Sequence, residues 1–133
     1  MQTKPVLTMS ETSRILQAAR AEAEKHKWPV AIAVVDDGGH LLGMLRLDDS
    51  SPISSEMAIG KARTSAVGRR ESRLYEELVN NGRIAFLSAP LVATLEGGVP
   101  VVVDGQVVGA VGVSGMKSGE DAQVATAGAQ AIA

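Results

Sequence analysis

The side chains here that could do chemistry are two imidazoles, two adjacent carboxylates and a run of cations. His40 follows the turn Asp36-Asp37-Gly38-Gly39 and is the candidate for proton transfer or metal ligation, because imidazole serves either role near neutral pH. His26 lies between Lys25 and Lys27, where a cation favours the negative end of a helix. That placement makes it the weaker metal candidate. Asp36 and Asp37 suit a turn better than an acid–base pair, since neighbouring strand-end residues point to opposite sides. Lys61, Arg63, Arg69, Arg70 and Arg73 gather in a chain whose net charge is -2. Together with Arg46 they form a receiver for an anionic ligand, because guanidinium forks match carboxylates in shape and charge. Lys61, Arg69 and Arg46 are the ligand-binding candidates in that set. Gly97-Gly98 and the run GVSGMKSGE add backbone: amides from Ser114 and Gly115 onward, just before a helix, can cup an anion.

Other signatures fail. Gly109, Gly112 and Gly115 have GxxGxxG spacing within and after a strand, which is not the dinucleotide fingerprint. Gly60-Lys61 lacks the earlier glycine of a phosphate loop, and GVSGM misses the nucleophile elbow by one position. With no cysteine, thiolate chemistry and disulfides are excluded. A pI of 5.7 and only three aromatic rings, Trp28, Tyr75 and Phe86, argue against nucleic acid as a partner.

These groups need elements to hold them. Thr8 and Glu11 have capping-box spacing, and Ile15, Leu16, Ala19 and Ala23 form an apolar stripe, which predicts a helix from about Thr8 to His26. The turn Asp36 to Gly39 separates two β-rich runs, Val30 to Val35 and His40 to Leu47, predicting a hairpin. Ser51-Pro52 opens a second helix, along which Ala58, Ala62 and Ala66 recur at a spacing that would let it lie close to a sheet. A shorter helix follows from Ser72 to Asn80, with Gly82 as its stop. VPVVV and QVVGAVGVSG flank Asp104-Gly105, a hairpin with a type I′-like turn. Ser118 and Asp121 have capping-box-like spacing, and the helix they open should turn Ala122, Ala125, Ala129 and Ile132 inward.

Strand parity predicts a sheet side lined by Ala31 and Ala33 on one strand and Ala110, Gly112 and Ser114 on another, accepting a close helix or a ligand. At 133 residues the chain reads as one domain, 1–133, large enough to hide roughly two thirds of its unfolded surface. No apolar run approaches membrane-spanning length, and the first residues lack a secretory pattern, so a cytoplasmic protein without membrane partners is expected.

Taken together, VVDDGGHLLGMLRLD, the KARTSA stretch and EGGVPVVVDGQVVGAVGVSG followed by an Asp in the final helix resemble the GlcG/HbpS-like family, which includes the C-terminal domain of PduO-type proteins. The resemblance covers almost the whole chain and is weakest from about Arg69 to Leu95. It implies an α/β (α+β) fold similar to profilin, with a five-stranded antiparallel sheet between helices in three α/β/α layers, and a further strand near Leu91 to Glu96. It also implies self-association as a homo-oligomer, from dimer to octamer, and haem as a possible cofactor. His40 would then be the iron ligand or the catalytic group, and His26 an exposed axial ligand at a subunit contact. Met44, Met57 and Met116 could line an apolar pocket.

The expected function is binding of a small molecule, namely haem, a related tetrapyrrole or another anionic planar ligand, at Arg46, Lys61, Arg69, Gly97, Gly98, Ser114 and Gly115. The rival is a small enzyme or accessory subunit of organic-acid or aromatic catabolism, acting on a carboxylate.

Overall fold

The structure, a computed structural model, describes residues 1–132. Helix α1 spans Met9–Lys25 and starts where expected: the Thr8 hydroxyl accepts from the Glu11 amide while the Glu11 carboxylate accepts from the Thr8 amide. Strands β1 (Ala31–Asp36) and β2 (Leu41–Arg46) form the first hairpin. Helix α2 spans Pro52–Gly68, with proline at its first position, and ends on Arg69 in the left-handed region. Helix α3 (Arg73–Asn80) and a 3₁₀ turn (Ile84–Ser88) precede β3 (Gly98–Val103) and β4 (Gln106–Ser114). Asp104 and Gly105 between those strands have φ of 50° and 75°, the signs a type I′ turn requires. Helix α4 (Ser118–Ala129) completes the chain.

The strands form one antiparallel sheet in the order β2-β1-β4-β3. Helices α1 and α4 cover one face and α2 the other, giving three layers. Toward α1 and α4 the sheet turns Ile32, Val34, Val111 and Val113, which pack with Ile15, Leu16, Val124 and Ala125. Toward α2 it turns Ala31, Ala33 and Ala110 against Ala58, Ala62 and Ala66. The small-residue side predicted from parity therefore exists, and a helix fills it. A Cβ on Gly112 would lie 2.0 Å from the Ala58 carbonyl oxygen, so the absent side chain sets how near α2 can come.

Two expectations need correction. The sheet has four strands among the described residues, because the stretch expected as a fifth, Leu91 to Glu96, is irregular. Its backbone is tied to side chains instead: the Ala93 amide donates to Thr64 Oγ1, the Glu96 amide to Glu76, and the Leu95 carbonyl accepts from Ser72. The last helix begins one residue earlier than Ser118 at its cap, which is Lys117, with its amide donating to Glu120. Inward positions of α4 are Asp121, Val124, Ala125, Gly128 and Ala129, while Ala122 and Ile132 are half-buried.

Candidate functional site

The β2 strand lies at the sheet margin, and α2 packs on β4, β1 and β3 while leaving β2 largely uncovered. On the α1 side, Leu42 and Leu45 join the core. On the α2 side the cross-strand register pairs Leu41 with Val35, Met44 with Ala33 and Arg46 with Ala31, so these three side chains share the α2 face. Beside them runs the stripe Ile59, Arg63 and Val67 of α2, spaced every four residues and therefore on one helix face. Gly39 of the β1–β2 turn abuts Val67 and the stem of Arg63, which places that stripe next to the hairpin. The result is a shelf with an apolar floor and two exposed guanidinium groups. Leu41 and Val67 are 49% and 47% exposed there, although large apolar side chains are normally withdrawn from water.

At the hairpin tip, Asp36 Oδ1 accepts from the amides of Gly38 and His40, each at 2.9 Å, and lies 3.2 Å from His40 Nδ1. Burial pushes this carboxyl up, but the two amides and the His40 ring outweigh it and hold it below its usual range. A carboxylate only accepts, so the ring turns Nδ1–H toward Asp36 and leaves Nε2 pointing away from it; the side chain is 82% exposed. His40 thus has the form of an oriented ligand or base. Its register with Asp36, which pairs with Gly109 on the Leu7 side of the sheet, puts it on the other side of the hairpin from the shelf.

His26 is engaged by its neighbours. Its Nε2 is 3.1 Å from Glu22 and 3.3 Å from Gln123, and its ring stacks on Trp28 at 4.3 Å.

Lys61 is 4% exposed. Its ammonium donates to the Val113 carbonyl at 3.0 Å and to Asp121 Oδ2 at 3.2 Å. Asp121 Oδ1 in turn accepts from the Met116 amide at 2.9 Å. Within the run from Ser114 to Glu120, where amides were expected to cup an anionic ligand, the Met116 amide is taken by the chain's own carboxylate. Burial raises the Asp121 carboxyl, an effect that Lys61 and the amides only partly offset. Gly97 and Gly98 serve the same corner. A Cβ at Gly97 would come within 2.9 Å of Lys61 Nζ, and one at Gly98 within 2.2 Å of the Lys61 carbonyl oxygen. Gly115, at φ +141°, abuts the Pro29 carbonyl oxygen, and Ser114 pairs with Ala31 at the strand end.

Arg69 caps α2 from the left-handed region, donates to the carbonyls of Asp37 and Ala66, and lies 3.8 Å from the Asp37 carboxylate, which also binds Lys4. Arg46 sits at the Ala31 end of the sheet and Arg69 at the Asp37 end, so the structure does not bring Arg46, Lys61 and Arg69 together. The methionines diverge likewise: Met44 packs on the α2 side and Met116 on the opposite core. Arg63 of the shelf also stood in the basic run, and its stem beside Gly39 puts it at the hairpin-turn end of the shelf, with Arg46 at the Ala31 end. Among the described residues, no group of three or more His, Asp or Glu could hold a metal ion, and no helix is long and apolar enough to cross a membrane.

The layers and the uncovered edge strand define a class, an α/β domain with one antiparallel sheet between helices and an arginine-flanked shelf. Residues 7–130 match the model of the family described as "Haem degrading protein HbpS-like", and the chain belongs to that family. It is similar to Protein GlcG of Escherichia coli (strain K12), 59% identical over 114 residues that cover 86% of this chain and 85% of GlcG. Among solved structures, a double mutant of Streptomyces reticuli HbpS has a TM-score of 0.89 at 31% identity, covering 100% of this chain and 91% of the other. A structure described as a PduOC:Heme complex has a TM-score of 0.85 at 26% identity, covering 96% of each chain.

Proposed function

We propose that this protein binds a flat anionic small molecule, haem or a related tetrapyrrole foremost, on the shelf between β2 and α2, and that it self-associates so that a second copy closes the open side. The observation that carries this reading is the composition of the shelf: Leu41, Met44, Ile59 and Val67 offer an apolar seat, and Arg46 and Arg63 offer charge for carboxylates. The haem complex of a neighbour at 26% identity supports the choice of ligand. Haem, when bound, supplies a redox-active iron. This chain's residues seat the ring and pair its carboxylates, and the Asp36-oriented His40, which faces away from its own shelf, would serve as a nitrogen donor to iron in a ring seated by the second copy. Titration with haemin should shift the Soret band, and replacing both Arg46 and Arg63 with alanine should weaken binding about tenfold, as expected for losing charge-assisted bonds. No Soret shift would remove haem, and unchanged affinity in the double variant would remove the shelf.

The Asp36–His40 dyad favours a second reading, an enzyme or accessory subunit acting on a carboxylate, because a carboxylate that fixes an imidazole tautomer prepares it as a general base. Turnover of a hydroxy acid that disappears in His40→Ala would establish it, and turnover that persists would discard His40 from the reaction.

A further inference from the structure

A cavity of about 350 Å³ opens where the end of α1, the Lys27–Pro29 turn and the residues after β2 meet. It shares no residue with the shelf. Its apolar wall is Trp28, Pro29 and Leu47, and its charged rim includes Lys27, Asp48 and Asp49. His26 stacks on the indole and fixes its plane, with ring centroids 4.3 Å apart and planes 17° from parallel. The wall is also held from behind: the Trp28 amide donates to Ala23 and the Leu47 amide to Val30, both at 2.9 Å.

The charges decide what such a cavity takes. Arg20 and Glu24, also on the rim, neutralise each other in an ion pair. Lys27 then stands against Asp48 and Asp49, whose exposed carboxylates have no partner among the described residues, leaving the rim net negative. An anion would be repelled there, and a neutral ring would leave both carboxylates unanswered. An organic cation answers both features, its ammonium facing the aspartates and its apolar body lying against the indole. We infer that the Trp28 cavity is a binding site for a small organic cation, an ammonium carried on a compact apolar body.

Trp28 is the sole tryptophan, so its fluorescence reports on this cavity alone. The probes are phenethylammonium, phenylalanine and 3-phenylpropionate, which share a ring and differ in charge. Phenethylammonium should change the emission saturably, phenylalanine should bind more weakly, and 3-phenylpropionate should give no saturable change. The double variant Asp48→Asn, Asp49→Asn should weaken phenethylammonium about tenfold, whereas Glu56→Gln, an exposed charge change on α2, should leave it unaltered. Asn tolerates the left-handed backbone of position 49, where φ is 71°, so the double variant keeps the turn. The site is refuted by no response to phenethylammonium, by 3-phenylpropionate binding as well, by phenylalanine binding more tightly, or by a double variant with unchanged affinity.

Discussion

Lys61 and Asp121 belong to helices on opposite faces of the sheet, and their charged groups meet at 3.2 Å where β4 finishes and β3 begins. Both side chains are almost wholly buried, at 5% and 3% exposure. Removing one partner strands the other charge, so Lys61→Met or Asp121→Asn should each lose about 3–5 kcal/mol, read from urea unfolding midpoints. The combination Lys61→Met with Asp121→Leu should recover much of that loss. A combination no better than the single changes would show that the pair's contacts with Val113 and Met116, not the charge balance, hold the corner.

Acid stability has a definite sign at the hairpin tip. The Asp36 carboxyl is held below its ordinary value of 3.8, so its contribution is fully present above that pH and is lost as pH falls through the lower folded value. Asp36→Asn should therefore be less stable at neutral pH and show a flatter acid limb in thermal melts between pH 5 and about pH 2. Asp121 runs the other way: its folded value is raised, so its contribution is full below 3.8 and declines as pH rises through the folded value.

A matched pair of glycine changes tests the close approach of α2. Gly112→Ala would press a methyl 2.0 Å from the Ala58 carbonyl oxygen and should lower stability by about 3 kcal/mol or more. Gly119→Ala meets nothing within 4 Å in the first turn of α4, and should be neutral or stabilising by up to about 1 kcal/mol. Calorimetric melting temperatures separate the two, and equal losses would contradict the packing.

His40→Ala should leave folding within about 1 kcal/mol of the parent, because the Gly38 and His40 amides still serve Asp36. With haemin present, affinity should persist while the Soret position moves. An unmoved band would strike His40 from the iron's ligands.

Much of the fold was legible in the residues. Thr8 with Glu11, Ser51-Pro52 and Asp104-Gly105 are local signals that need no tertiary information, and each marks a boundary in the structure. The stretch around Leu91 to Glu96 was not legible, because its backbone partners are Thr64, Ser72 and Glu76, side chains well separated in sequence. The site was read less well for the same reason. Lys61 reads as a cation for a ligand because its true partner lies 60 residues on, and the shelf becomes visible only when the register sets Arg46 opposite Ala31. Charge type can be read from one residue, whereas convergence needs the sheet.

The nest of amides around Met116 already holds an anion supplied from within. Exchanging buffer ions leaves that corner untouched, since no vacancy awaits them. What it does not tolerate is halving: an acid at 121 without the base at 61, or the reverse, leaves a lone charge walled off from water.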